Sequence, residues 1–552
     1  MTAKIWLSAY QPGIPAEIDT NKYASLNEML ELNCSRYSNL PALSNLGGTL
    51  TFADLERESR DFAAYLQNVL RLPKGARVAL MLPNLLQYPV AFFGVLRAGL
   101  IVVNINPLYT PHELQRQIKD SGAQAVVVLE SFAYKLAEFI GSTELKAVIT
   151  TAPGDLLPAP RRWLTNVVAR HIGHRVRPCR FHHAIAFRRA LVEGGSSSLI
   201  KVDIVRDDIA LLQYTGGTTG IPKGAMLSHG NLVANVVQTA TWIGRELKEG
   251  VEIAITPLPL FHIFSLTANL LTFISIGGHN LLITDPRDIA ALVAFLRRTR
   301  FTAMTGVNTL FNALMNHPDF AKVDFSDLKL TVGGGAAVHA AVAKRWKEVT
   351  GVPITEGYGL TEASPVVCVN PLDIEDYTGM IGVPIPSTDV SIRDDGGNEL
   401  PIGEIGEICV RGPQVMKGYW NAPDETAKVI RAGGWLFTGD VGYMREDGFI
   451  KFIDRKKDVI VVSGFKVFPN EVEDAAVIHP GVLEAGAKGV ADARSDEAVK
   501  LFVVKRDPRL TEQELMAHLR QMLTAYKVPK VIEFRDQLPK NAIGKVIRHE
   551  LR

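Results

Sequence analysis

Tyr214-Thr215-Gly216-Gly217-Thr218-Thr219-Gly220-Ile221-Pro222-Lys223-Gly224 is the stretch on which the reading of this chain turns. Four glycines, three threonines and one lysine in eleven residues make an anion cradle. Glycine lets backbone N–H groups close on an anion, and hydroxyls and an ammonium add donors and charge. The apolar run before it, residues 209–212, reads as a short buried strand. Ala225-Met226-Leu227-Ser228-His229 follows, then a segment with helix-forming character. The loop is not a Walker A loop, which needs Gly-Lys and then Ser or Thr; here Lys223 stands between Pro222 and Gly224. A flexible linker has a similar composition, but linkers rarely lie between a buried strand and a helix. The stretch is therefore expected to hold phosphate in a site of another class.

Outward from this loop, strand and helix patterns alternate. Thr51-Phe52-Ala53-Asp54 is a capping box whose helix should run to about Leu70. Residues 77–82, 101–105 and 123–129 read as strands and 88–98 as a helix. Thr110, Pro111 and Glu113 open another helix that ends near Gly122. The pattern resumes with strands at 253–256, 280–284, 303–306 and 328–332. Helices alternating with short β-branched runs predict parallel sheets with crossover helices, here two α/β subdomains. Residues 382–418 differ: strand-like runs at 390–393 and 408–411 between Gly, Pro and Asp turns suggest a small β-barrel.

The 552-residue chain is too long for one core. With 47% hydrophobic and 21% charged residues it is globular, and a net charge of +2 gives no sign of a nucleic-acid partner. Cys34, Cys179, Cys368 and Cys409 lack disulfide or zinc spacing, which fits a reducing, cytoplasmic setting. No signal-peptide run opens the chain, and the final residues, His549-Glu550-Leu551-Arg552, are not a peroxisomal tripeptide. Residues 264–283, the most apolar span, are broken by polar residues and read as a buried helix and strand. Residues 161–190 hold eight arginines, four histidines and no acid. Trp163, Leu164, Val167, Val168 and Ile172 recur there with helical spacing, though Arg161 and His171 fall within the apolar arc. This is either a basic surface for anionic lipid or a solvated basic loop.

Further motifs stand in order along the chain. Gly333-Gly334-Gly335-Ala336-Ala337 and Thr355-Glu356-Gly357-Tyr358-Gly359-Leu360-Thr361-Glu362 each follow a strand, where α/β folds place ligands. Trp435-Leu436-Phe437-Thr438-Gly439-Asp440 and Asp454-Arg455-Lys456-Lys457-Asp458 come next, then Ser463-Gly464-Phe465-Lys466-Val467. Leu538-Pro539-Lys540-Asn541-Ala542-Ile543-Gly544-Lys545 lies near the end. Together with the 214–224 loop, these resemble the adenylate-forming enzymes: acyl-CoA ligases, luciferases and amino-acid-activating domains. The phrases at 84–90, 211–220, 305–311 and 461–465 look most like bacterial long-chain fatty-acid–CoA ligases. The resemblance covers about residues 5–552.

The resemblance implies a large AMP-binding domain over residues 1–455, made of the two α/β subdomains and the barrel, and a small mobile α+β domain over 456–552. It implies a nucleotide site formed by Tyr214, Thr215, Gly216, Gly217, Thr218, Thr219, Gly220, Lys223, Gly334, Gly335, Ala336, Glu356, Gly357, Tyr358, Gly359 and Thr361. Asp440 and Arg455 would hold the ribose, Glu362 and Thr218 magnesium. Lys457 would be the hinge, Gly464 would leave room for pantetheine, and Lys545 would reach in during adenylation. His262, within Pro257-Leu258-Pro259-Leu260-Phe261-His262-Ile263-Phe264, would face the carboxylate, although a lone histidine among apolar residues is ordinarily a satisfied core side chain. The implied substrates are ATP with magnesium, a fatty acid and coenzyme A. An ionised carboxylate is its own nucleophile, so no Ser-His-Asp set is needed. A homodimer and contact with the inner face of an anionic membrane are the further partners considered. The rival readings are a fatty-acyl-AMP ligase that loads a carrier protein, a luciferase-like oxygenase, and a catalytically silent acyl-binding protein at the membrane.

Overall fold

A computed structural model describes residues 4–172, 184–215, 222–492, 495–542 and 544–552. Of the expected cradle, Gly216, Gly217, Thr218, Thr219 and Gly220 lie outside the described residues, as does the middle of the basic segment, 173–183.

Local signals set the first elements. Thr51 and Thr110 both cap helices with reciprocal boxes, through Asp54 and Glu113 respectively. The first helix, Phe52–Ala64, continues as a π turn over Tyr65–Val69. These helices cross between strands of two sheets. One has seven strands in the order Ala184–Ala186, Ala147–Thr151, Ala123–Leu129, Arg77–Met81, Ile101–Asn104, Ile209–Thr215 and Lys223–Ser228. The other has nine, with Ile354–Gly359, Leu330–Gly333, Ala303–Gly306, Ile253–Thr256 and His279–Leu282 as consecutive parallel neighbours. Helix Gln87–Arg97 is buried at every residue: between its ends it is apolar all round, and buried Arg97 is paired with Glu56 at 2.8 Å. It belongs to one core that also takes in His229–Ile243 and the residues packed beneath both sheets. The apolar span resolves into helical turns from Ile263 to Ser275 and the strand His279–Leu282, and no described helix is long and apolar enough to cross a membrane.

Two expectations need correction. The 214–224 loop does not lead from a strand into a helix. Strand Ile209–Thr215 turns back into Lys223–Ser228, antiparallel, with Thr215 opposite Lys223; the helix starts only at His229. The intervening strand is held by the 416–420 loop: Met226 N donates to Gly418 O at 2.9 Å and Trp420 N to Gly224 O at 2.7 Å. Second, residues 389–455 form an open antiparallel sheet rather than a closed barrel. The order is Asp389–Arg393, Gly406–Arg411, Trp435–Met444 and Ile430–Arg431, with Ile450–Arg455 also on Trp435–Met444. The start of its edge strand is tied to the N-terminal segment, by the Lys4–Asp389 ion pair at 3.1 Å and by Ser387 N on Ala16 O at 2.9 Å.

Beyond residue 456 a smaller α+β unit begins. Its sheet joins Phe465–Val467, Ile460–Val462, Asp496–Lys505, Val482–Asp492 and Val531–Arg535. Helices Pro469–Val477 and Glu512–Met522 pack on it around a core of its own, including Val467, Val472, Leu501, Leu515 and Leu519.

Candidate active site

The parallel strands Ala303–Gly306, Leu330–Gly333 and Ile354–Gly359 run in register, with Gly306 opposite Gly333 and Gly333 opposite Glu356, and the third continues past the other two to Gly359. The loops that leave them wall a cleft of about 3590 Å³ between the large unit and the small one. Gly334, Gly335, Ala336, Glu356, Gly357, Tyr358, Gly359, Thr361 and Glu362 line it, with Tyr214, Thr215, Lys223, His262, Asp440, Arg455, Lys457 and Lys545. A Cβ on Gly334 would stand 3.1 Å from the Phe264 ring and 3.2 Å from Gly357 O, so the wall is close-fitting there.

Asp440 is the most tightly placed of these groups. Its strand pairs with Ile450–Arg455, which puts Arg455 directly opposite. Arg455 Nε lies 3.3 Å from Asp440 Oδ1, and Tyr358 Oη donates to Oδ2 at 2.7 Å. The turn before it is braced: Gly439 N donates to Glu407 Oε1 at 2.8 Å, and Asp440 N to Thr438 Oγ1 at 3.1 Å. Asp440 is only 4% exposed, yet Oδ1 has no aligned hydrogen-bond donor among the described residues; Arg455 answers its charge without satisfying its lone pairs. A buried acceptor of this kind fits a ligand hydroxyl. Burial, reinforced by the Asp440 charge, pushes the Tyr358 phenol well above its ordinary range, so it is a fixed donor.

Lys223 and Glu362 meet around Tyr419, which the motifs did not single out. Tyr419 Oη donates to Glu362 Oε1 at 2.8 Å, and Lys223 Nζ lies 5.3 Å from the Tyr419 ring centre while pairing with Glu425. Oε2 of Glu362 accepts no hydrogen bond among the described residues. A hard cation that prefers a carboxylate with phosphate oxygens fits this donor set, and no described cluster of three or more His, Cys, Asp or Glu competes for it. Tyr214 is committed elsewhere: its hydroxyl donates to Asp120 at 2.5 Å and its ring packs on Gly224.

Lys545 enters the cleft on the turn between Lys540 and Val546. Asn541 ties the turn, donating its N–H to Lys545 O at 2.9 Å and accepting the Lys545 N–H on Oδ1 at 2.9 Å. Its Gly544 sits against the large unit so closely that a Cβ would come within 2.6 Å of Thr309 Oγ1. Burial, with repulsion from Arg455, lowers the Lys545 ammonium to about 8. The Lys545 charge is felt at His262, whose imidazole is lowered to about 4, mainly by burial. His262 Nδ1 accepts the Phe264 N–H at 3.3 Å at the start of the helical turn, so in the neutral ring Nε2 carries the proton. Glu356 is buried and its carboxyl is pushed up to about 8, which makes it an uncharged part of the wall at neutral pH.

Lys457 lies in the turn Lys456–Asp458 that joins the two units, where burial lowers its ammonium. Gly464 does not line the cleft. It sits at φ +84° in the tight turn between Ile460–Val462 and Phe465–Val467, with nothing within 4 Å of where a Cβ would stand. In this arrangement its backbone angle, not crowding, calls for glycine.

Family models agree with this architecture. The AMP-binding enzyme model matches residues 30–420 and the AMP-binding enzyme C-terminal domain model residues 471–545. The chain belongs to the AMP-binding enzymes. It is 53% identical over 549 residues to the long-chain-fatty-acid–CoA ligase of Escherichia coli O6:H1, covering 100% of this chain and 98% of that one. The protein of the same description from Bacillus subtilis is 40% identical, covering 99% and 97%. Among solved structures, the anthranilate CoA ligase AuaEII with anthranoyl-AMP matches at a TM-score of 0.84 and 25% identity, covering 97% and 98%. ATP-bound MatB from Rhodopseudomonas palustris matches at 0.81 and 28%, covering 96% and 98%.

Proposed function

We propose that this chain is a long-chain fatty-acid–CoA ligase that works through an acyl adenylate. The observation that carries the reading is the convergence of Lys545, His262, Tyr358–Asp440–Arg455 and Glu362 on one cleft.

In the first step a carboxylate oxygen attacks the α-phosphorus of ATP. A P–O bond forms, the bond to pyrophosphate breaks, and acyl-AMP remains. Lys545 stabilises the charge that crowds on the α-phosphate. Asp440 Oδ1 accepts a ribose hydroxyl, and the glycine wall with Tyr358 receives adenine. Glu362 would hold magnesium, which supplies charge neutralisation on the phosphates, while Lys223 leaves Glu425 to meet them. Thr218, in the undescribed part of the loop, is assigned to the same phosphates and metal. Neutral His262 donates from Nε2 to a carboxylate oxygen of the acid. In the second step the sulfur of coenzyme A attacks the acyl carbon: a C–S bond forms, the C–O bond to AMP breaks, AMP leaves with that oxygen, and the thiol proton passes to solvent. The small domain serves both steps by turning at Lys457, withdrawing Lys545 and bringing the Gly464 turn in. Phe465, beside Gly464, is 58% exposed here, an apolar side chain awaiting cover in such a second arrangement.

The reading extends to the source of the acid. Trp163 and Leu164 are 69% and 57% exposed on the helix Ala159–Val167. Leu164 and Val168 line the same cleft as Leu46 and Leu108, so an apolar rim borders its mouth. We assign this rim to peripheral contact with a lipid surface. The charge part of that contact is smaller than the sequence suggests, because Arg161 is bonded to Gly47 O and Arg170 to Glu130 at 2.6 Å.

The test is pyrophosphate release across free fatty acids, with and without coenzyme A. Release should require both magnesium and a fatty acid, and acyl-CoA should appear only with the thiol. Release indifferent to the acid would point to a plain ATPase. Acyl-AMP that never passes to coenzyme A would point to a fatty-acyl-AMP ligase.

A further inference from the structure

Arg548 ties together the two sides of the joint between the units. Its Nη1 lies 2.6 Å from Asp454 Oδ1 and 3.4 Å from Asp458 Oδ2. Its Nε lies 3.0 Å from Glu473 Oε1, its Nη2 2.8 Å from Glu473 Oε2, and Nη2 also donates to Asn470 Oδ1. Asp454 is fully buried at the end of Ile450–Arg455, the strand that sets Arg455 against Asp440. Its Oδ2 accepts the Asn470 N–H at 2.7 Å, and Asn470 Nδ2 donates to Ile453 O at 2.8 Å.

These partners fall on opposite sides of Lys457. Asp454 and Ile453 precede it on the sheet of the large unit. Asn470, Glu473 and Arg548 follow it. Glu473 is itself anchored in the small unit, accepting the Ala487 N–H at 2.7 Å. Turning the small unit at Lys457 therefore keeps Arg548 on Glu473 and strips both Arg548 and Asn470 from Asp454. Arg548 also comes directly after the hairpin that carries Lys545, which is closed by the Lys540–Val546 bridge and by Ile547 N on Pro539 O at 2.9 Å, and it opens the short turn Arg548–Glu550.

We infer that Arg548 is a positioning residue for the adenylation step: its bridge to buried Asp454 latches the small unit in the arrangement that puts Lys545 in the cleft, and the latch parts before thioester formation. The inference rests on the two-step reading above. Its physical basis is that a buried carboxylate losing its guanidinium is left uncompensated until water reaches it, so intermediate positions are disfavoured. The latch is thus either closed or open, which is what a machine with two working positions needs.

The test is single-turnover kinetics of each half-reaction for Arg548→Ala, Arg548→Lys and Asp454→Asn, with Lys545→Ala in parallel. Arg548→Ala should slow acyl-AMP formation by about 10- to 100-fold, the range for a misplaced catalytic group. It should form thioester from supplied acyl-AMP and coenzyme A at the parent rate or faster. Arg548→Lys, which keeps a charge for Asp454, should recover part of the loss, and Asp454→Asn should repeat the split without disturbing Glu473. If Arg548→Ala slowed both halves alike while Lys545→Ala still separated them, Arg548 would be a strut of the small unit and the latch would fall. If Lys545→Ala itself slowed both alike, the two-step reading beneath the latch would fall. Should Arg548→Ala not fold, Asp454→Asn decides: a split supports the latch, and equal slowing or no change overturns it.

Discussion

Lys545 is a cation kept where its charge costs free energy, because burial and the Arg455 guanidinium both oppose it. Its ordinary value of 10.5 falls to about 8, so the ammonium is charged below that pH and loses its charge as pH rises through it. The pH profile of kcat/KM for ATP reports the free enzyme. The rate should fall as pH rises past about 8, and Lys545→Arg should remove that fall, since a guanidinium stays protonated. A Lys545→Arg enzyme with the same alkaline limb would assign the titration to another group. The Tyr358 phenol makes a different kind of contribution. Tyr358→Phe leaves Asp440 Oδ2 buried without its donor. Losing a hydrogen bond to a charged group costs about 1.5–3 kcal/mol, so the KM for ATP should rise roughly 10- to 100-fold with little change in the adenylation kcat. An unchanged KM would remove Asp440 from the nucleotide site. Of these residues, Lys545, Tyr358, Asp440 and Glu362 were legible in the sequence because each sits in a motif. Tyr419 and Arg548 were not. Tyr419 acts through Glu362, 57 residues away, and Arg548 through Asp454, 94 residues away, and nothing local marks either side chain.

Elements were readable where their ends are set by neighbours in sequence. The Thr51 and Thr110 capping boxes fix two helix starts, and strands Ala123–Leu129, Ile253–Thr256 and Ala303–Gly306 match their β-branched or apolar runs. The strand Lys223–Ser228 was missed because Lys-Gly-Ala-Met-Leu-Ser has no β-branched residue; tertiary pairing with Ile209–Thr215 and with the 416–420 loop makes it a strand. Closure of a barrel was likewise beyond reach, since short strands with turns specify antiparallel pairing but not what covers the edges. The helix Ala159–Val167 was foreseen from its spacing, and its exposed Trp163 and Leu164 now carry the lipid-surface assignment more than its arginines do. Replacing both by Ser should reduce co-sedimentation with anionic liposomes several-fold. Salt should weaken what remains, because exposed charges are screened within about 10 Å at 0.1 M. Undiminished binding by the double variant would take the rim out of the membrane reading.

At the scale of the whole molecule, two bodies with separate cores face each other across one cleft, joined at Lys456–Asp458. The motifs around Gly334 and Tyr358 were placed on this cleft by a local rule, because each lies at the end of a parallel strand whose loop walls it. What the sequence could not show is which surfaces meet: Gly544 against Thr309, Arg548 on Asp454, and Gly464 turned away. Those contacts give the central claim its most direct test, single-turnover kinetics of the two half-reactions in Lys545→Ala. Acyl-AMP formation from ATP and a fatty acid should slow by about 10²–10³-fold, the usual loss for a positioned electrostatic group. Thioester formation from supplied acyl-AMP and coenzyme A should proceed near the parent rate. Equal slowing of both halves in a folded protein would contradict the account, because Lys545 would then serve general binding or structure and not the adenylation step alone.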